Sequence, residues 1–389
     1  MVGLSLAIAL GASGLDVVVV DREDPARAVF PTFDGRASAI ADASARMFEA
    51  IGLWPHLPAS QPILDIRVTD RASPLFLHYD HRDLGDRPFG QMIENRHLRQ
   101  AQQARLAELP SVRLLAPRQV VSLDRGPGLV TAVLDDGTVV RAPLVIAADG
   151  RNSVLRAQAG IEVVAWDYAQ SGIVCTVEHD LPHNGVAQER FLPSGPFAIL
   201  PLTGNRASLV WTERRDLAPA MLRLDDAAFD AEILGRFGDY LGSVRAIGPR
   251  WSYPLSLHLA NSYVSDRLIL IGDAAHGIHP IAGQGLNLGL RDVAALAEIL
   301  VDALRVGRDL GDATLGERYE RWRRFDTVVL AGVTDALNRL FSNEVEPVVL
   351  ARDLGLAAVN AMPPLKRLLM RHAMGGVGTL PRLLRGEAL

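Results

Sequence analysis

Along the chain the apolar positions switch between two spacings. Residues 3–13 are small and apolar almost without a break, which predicts a helix packed tightly on its neighbours, and Gly14 suits the turn that ends it. Asp16-Val-Val-Val-Val-Asp21 follows, and four valines between acids predict a parallel strand buried on both faces. Helix, turn and strand ending in an acid form the second half of a βαβ unit. Residues 36–53 and 91–108 are expected to be helices. Residues 129–148 carry two strand-like runs around Asp135-Asp136-Gly137, the second being Leu144-Val-Ile-Ala-Ala148. From 170 to 213 the pattern shortens: Ser171–Val177, Gln188–Leu192, Phe197–Leu202 and Ala207–Trp211 alternate with Pro and Gly, which predicts an antiparallel sheet in a second domain. Val264–Ile271 returns to a buried strand, and the chain is mostly helical from Gly285 onward.

Composition narrows the classes. At 389 residues two interleaved domains are expected, and 49% hydrophobic against 22% charged residues is ordinary for a core-forming protein. A net charge of −5 argues against a nucleic-acid partner, because a phosphate-binding surface needs a basic excess. The single cysteine, Cys175, excludes an intrachain disulfide and a cysteine-built metal centre, and its apolar surroundings predict a small buried hydrophobe. No stretch approaches the ~20 apolar residues of a membrane span. The expectation is a soluble, cytoplasmic protein, at most peripheral to the inner membrane.

Chemistry concentrates in Gly272-Asp-Ala-Ala-His-Gly-Ile-His-Pro-Ile-Ala-Gly-Gln-Gly-Leu-Asn287, which follows a buried strand and opens a long helix. Small residues let backbone approach a ligand closely. Asp273 is placed to accept hydrogen bonds from sugar-like hydroxyls, and Gly283 to Asn287 would present unpaired N–H groups and a helix dipole to an anion. A second motif, Ala148-Asp-Gly-Arg-Asn-Ser-Val-Leu-Arg156, also follows a buried strand. There Asp149 is suited to cap the next helix and Arg156 to meet a phosphate, with plain capping as the alternative. His276 and His279 invite a metal reading, but packing or a role beside a cofactor fits their loop better, and no metal is expected.

The Gly272–Asn287 segment resembles the second FAD-binding motif of class A flavoprotein aromatic hydroxylases, the para-hydroxybenzoate hydroxylase group. That likeness implies that Gly272 and Asp273 hold the flavin ribityl chain and that Pro280, Gly283, Gln284, Gly285, Leu286 and Asn287 cover the pyrimidine end of the isoalloxazine. The second motif is similar to the family's Asp-Gly motif, which implies FAD and NAD(P)H contacts for Asp149 and Gly150. Gly3 matches the last glycine of a Gly-x-Gly-x-x-Gly fingerprint, and Asp21 the ribose-binding acid. The preceding strand and first two glycines are not in the sequence, so an upstream extension or a truncated form is expected. Arg36 and Arg99 match positions that hold FAD in the family, and Val120 the backbone that meets adenine.

The implied fold is α/β: a Rossmann-like FAD-binding domain, an inserted mixed or antiparallel-sheet substrate domain, and a helical C-terminal region. Boundaries are expected at 1–70, 91–170 and 261–310 for the FAD domain, 71–90 and 171–260 for the substrate domain, and 311–389 for the helical region. Gln188–Leu202, Ser208–Thr212 and the tail, including Tyr319–Arg324 and Asp335–Phe341, resemble the ubiquinone-biosynthesis hydroxylases. The activity so implied is hydroxylation of a polyprenylphenol ring with O2 through a flavin C(4a)-hydroperoxide, with NAD(P)H or another electron donor. Catalytic side chains stay unassigned, because the cofactor performs the hard step. A polyprenyl reductase, a halogenase or a phenol hydroxylase of different substrate would share the scaffold, but no Trp-x-Trp-x-Ile run of a halogenase is present. A non-catalytic subunit of a ubiquinone-synthesis complex is the non-enzyme alternative. Basic, apolar Pro364–Arg371 would suit a membrane surface, or a terminal helix docked on the body.

Overall fold

The computed structural model describes residues 1–28, 33–71, 73–279, 281–342 and 346–389. One half is built around parallel strands. Val17–Val20 pairs with Val112–Leu115, and Val145–Ala147 pairs with Leu268–Leu270. The helices Val2–Ala12 and Gln284–Arg305 pack together over these strands in the largest core cluster, which includes Ile8, Leu270, Leu290 and Leu296. The strand Val17–Val20 is parallel, but it is not buried on both faces: Val18 is 37% exposed. The turn at Gly14 takes φ +85°.

Two expected helices begin as strands. Ala37–Ala41 and Gly90–Glu94 pair antiparallel before the helices Asp42–Ala50 and Asn95–Ala107 start. Pairing between segments distant in the sequence sets them as strands. Residues 129–148 hold a hairpin, Val130–Leu134 with Val139–Ala142, and then the separate parallel strand Val145–Ala147.

The second half is an eight-stranded, mostly antiparallel sheet. It is wider than its sequence pattern indicates. Asp65–Asp70 joins it parallel to Val186–Leu192, and the strand Val163–His179 begins before residue 171. The boundaries at 70/71 and 170/171 therefore cut through the Asp65–Asp80 hairpin and through a continuous strand. One sheet face, with Ile173, Cys175, Phe197, Leu209 and Trp211, packs on Phe229, Ile233 and Phe237 of the helix Asp226–Phe237. Cys175 is buried there, and burial pushes its thiol up to about 12. The other face, with Ala187, Phe191 and Leu202, turns toward the half with the parallel strands and packs in one cluster with Ala37, Ala39 and Met92. The chain closes with the helices Ala313–Phe341, Glu346–Ala361 and Pro363–Ala373.

Candidate active site

Parallel strands leave their C-terminal ends on one edge, where ligands bind in open α/β sheets. Here the register Ala147↔Leu270 brings the turns at Asp149 and at Gly272 to the same edge. Close packing around them needs small residues. A Cβ on Gly3 would stand 3.0 Å from the Ala148 Cβ, and one on Gly289 would stand 2.8 Å from Val2 and 3.3 Å from the Gly272 Cα. Gly272 itself takes φ +58°, against the Val2 side chain.

Between Ile271 and His279 every residue except Asp273 is buried. Asp273 is exposed, and its carboxylate has no hydrogen bond or ion pair with the described residues, while its carbonyl accepts from His258 Nε2 at 2.8 Å. A rigid buried set holds this turn. Asp292 Oδ2 accepts from the Gly272 N–H at 2.9 Å and lies 2.6 Å from His276 Nε2, while Arg323 Nε donates to Asp292 Oδ1 at 2.8 Å. Burial pushes the Asp292 carboxyl up, but the His276 ring and the Arg323 guanidinium outweigh it and hold it below the ordinary carboxylate range. Tyr319 donates its hydroxyl to the Leu270 carbonyl at 3.0 Å. Asp292 and Arg323 escaped the sequence reading, although Asp292 shares a helical face with Leu288, Ala295 and Ile299, a charge in an apolar stripe.

The helix Gln284–Arg305 starts from Gly283 in the left-handed conformation at φ +62°, where a Cβ would meet Ala39 at 3.3 Å. The N–H groups of Gln284, Gly285 and Leu286 fall in the turn that has no intrahelical acceptors. Nothing lies within 4 Å of the Cβ position of Gly285. Asn287 differs from the others. Its side chain accepts from Ala41 N at 2.9 Å and donates to the carbonyls of Ala39 at 2.8 Å and Gly283 at 3.2 Å, so it clamps this helix to the strand Ala37–Ala41 and does not face open space. Pro280 lies outside the described residues. The two histidines of this loop diverge: His276 turns to Asp292, and His279 packs edge-on to Tyr168 at 5.1 Å.

In the second motif Gly150 takes φ +87°, and both Ser153 and Asp149 cap the short helix that follows, accepting from Arg156 N at 3.0 Å and Leu155 N at 3.3 Å. Arg156 does not point outward to a phosphate. Its guanidinium donates to the Ala274 carbonyl at 2.8 Å and the Arg151 carbonyl at 2.9 Å, which ties the two motifs together.

The remaining positions gather around the start of the first helix. Met1 lies near Asp21, Glu23, Asp273 and Arg99. Asp21 ends its strand and binds the Glu23 N–H at 2.9 Å, and its carbonyl accepts from Arg118 N at 2.8 Å, two residues before Val120. Arg36 and Arg99 meet on Asp34, at 2.9 and 3.0 Å. Burial raises that carboxyl, but hydrogen bonds from both arginines hold it below its usual range. Arg36 also lies over the Trp251 ring, 4.8 Å from its centroid, and Trp251 donates to the Asp34 carbonyl at 2.6 Å. Asp34 and Trp251 carried no sequence signal of their own.

The family profile for an FAD binding domain matches residues 1–325. The chain belongs to this FAD-binding family of flavin-dependent hydroxylases. Over its whole length it is 55% identical to the ubiquinone hydroxylase UbiL of Rhodospirillum rubrum, covering 91% of that protein. It is 36% identical to the 3-demethoxyubiquinol 3-hydroxylase of Escherichia coli K12, with 96% of each chain covered. Among solved structures, the p-nitrophenol 4-monooxygenase PnpA of Pseudomonas putida superposes with a TM-score of 0.80 at 22% identity, over 97% of this chain and 96% of that one, a likeness of fold. The residues present fit FAD: an exposed carboxylate on a buried turn, a helix N-terminus whose first-turn amides have no intrahelical acceptors, and an open position at Gly285.

Proposed function

We propose that this flavoprotein hydroxylates the aromatic ring of a polyprenylated phenol on the route to ubiquinone, with O2 as oxidant and NAD(P)H as electron donor. The observation that carries this reading is full-length likeness to proteins named ubiquinone hydroxylases, together with the exposed Asp273 on its buried support. When bound, FAD would activate O2 and deliver one oxygen atom to the ring.

The protein's part is to bind, orient and keep water out. Asp273 would accept hydrogen bonds from ribityl hydroxyls, with Gly272 and the Asp292 network fixing its turn. The amides of Gln284, Gly285 and Leu286 would face the pyrimidine end, where the positive helix terminus favours negative charge. Gly3, Asp21 and Val120 would line the nucleotide end, with Arg36 and Arg99 anchored on Asp34 beside them. Asp149 and Gly150 would border both nucleotides.

A lipid substrate needs access, and the C-terminal helices support a membrane-facing surface on a cytoplasmic protein. No single helix among the described residues is long and apolar enough to cross a membrane. Phe325, Val329, Val333 and Leu340 lie along one exposed helical stripe, with Phe325 74% exposed. On the helix Pro363–Ala373, Leu365, Leu368 and Leu369 are exposed beside Arg367 and Arg371. Residues 313–389 carry eleven Lys and Arg against eight Asp and Glu, while the whole chain is net −5. Apolar stripes flanked by basic residues match an interfacial helix on anionic lipid.

The test is NAD(P)H oxidation by the flavin-loaded protein with and without 2-allylphenol, with 18O2 traced into the product. Stimulated oxidation and one labelled ring hydroxyl support the proposal. Absence of bound flavin, or oxidation without product, overturns it.

A further inference from the structure

On the sheet face turned toward the nucleotide-binding half, Glu189 is the charged member of an otherwise apolar cross-strand row. Direct cross-strand pairing sets a row across this sheet: Trp251, Val174, Val210, Ala198, Glu189, Val68 and Leu77. Directly paired residues share a face. Along its own strand Glu189 lies between Ala187 and Phe191, both buried in an apolar cluster with Leu77, Tyr79, Met92 and Leu202. Ala37 and Ala39 pack on the same cluster, and Ala39 is the residue that a Cβ on Gly283 would meet at 3.3 Å. The row begins at Trp251, under Arg36. So the cluster on the Glu189 face extends to Ala39, beside the helix terminus at Gly283.

Glu189 is half-buried, and its carboxyl makes no hydrogen bond or ion pair with the described residues. Burial pushes it up to about 8. A carboxyl so placed is costly unless something polar meets it. Asp70, two residues along the neighbouring strand, shows the contrast, since it is fully paired with Arg352.

We propose that Glu189 is the positioning residue that accepts a hydrogen bond from the phenolic O–H of the substrate, which would orient the ring against the flavin. This rests on the aromatic-hydroxylase reading above. The rest of the row is apolar and suits the ring, and Glu189 supplies the one polar contact that tells a phenol from its ether.

The experiment uses flavin-loaded protein and reads binding of 2-allylphenol and of its methyl ether, 2-allylanisole, from the perturbation of the flavin absorption band. Wild type should prefer the phenol. Glu189→Leu should lose that preference by about tenfold, the size of one hydrogen bond, leave the ether unchanged, and melt no lower than wild type. Glu189→Gln retains a carbonyl acceptor and should restore most of the preference. In wild type the phenol preference should change as pH passes about 8, and in Glu189→Gln it should not. An undiminished preference in Glu189→Leu overturns the assignment while leaving the hydroxylase reading intact. If wild type binds neither probe, the reading itself fails, and the assignment with it.

Discussion

The backbone N–H of Gly272 donates to the carboxylate of Asp292 at 2.9 Å, so a turn on the sheet edge is held by a residue two turns into the following long helix. Asp292 also carries His276 and Arg323. Removing it takes the acceptor from the buried Arg323 Nε and from the Gly272 amide, and leaves the guanidinium with Asp326 alone. Asp292→Ala should cost about 3–5 kcal/mol of stability, and flavin should be lost with it. The carboxyl is held below its ordinary range, so its contribution is present above the unfolded value near 4 and disappears as pH falls through the lower folded value. Chemical denaturation of both proteins across acidic pH checks this, and an unchanged midpoint would remove Asp292 from the support of the turn.

Asp273→Ala should behave in the opposite way. Its carboxylate is exposed and makes no contact with the described residues, so stability should move by less than about 0.5 kcal/mol. Flavin occupancy, read from absorbance near about 450 nm, should fall sharply, with partial recovery in Asp273→Asn. Full occupancy in the alanine variant would mean that the flavin is not held here.

How much of this was legible beforehand follows from how local each signal is. The glycine turns and the long helix at Gln284 are written in contiguous residues, and so were readable. Asp34, Asp292 and Trp251 act through partners 65, 31 and 217 positions away, which no local pattern encodes. Arg36 and Arg99 could be picked out singly, but not their meeting on one carboxylate. Asn287 and Arg156 had plausible ligand-facing chemistry, yet the structure uses both on backbone carbonyls. The strands Ala37–Ala41 and Gly90–Glu94 read as the first turns of the helices that follow them, and only their pairing with each other makes them strands.

Gly285 separates packing from binding. It lies in the first turn of a helix with open space beyond it, so Gly285→Ala should stabilise the flavin-free protein by about 0.5–1 kcal/mol. The added methyl would stand where the pyrimidine end of the flavin is placed, so flavin affinity should drop at least tenfold. Thermal melting of flavin-free protein and a flavin titration give the two readings. A gain in both would show that this space is not the flavin's.

His279 supplies a pH test from within the same loop. Its ring is buried, neither nitrogen has a hydrogen-bond partner among the described residues, and burial draws its pKa down to about 4, with Asp335 opposing. An unfolded chain takes up its proton near 6.5 and the folded one only near 4, so stability should be complete above about 6.5 and decline as pH falls from there toward 4. The loss should be at most about 3 kcal/mol, since a tenfold change in proton affinity corresponds to about 1.4 kcal/mol. His279→Gln cannot titrate and should flatten that segment of the profile while leaving the loss at lower pH, where Asp292 takes up its proton. Denaturation midpoints at closely spaced pH values between neutrality and the His279 value near 4 would separate the two groups. Identical slopes in wild type and variant would show that the ring is already charged, and so that a polar partner reaches it in solution.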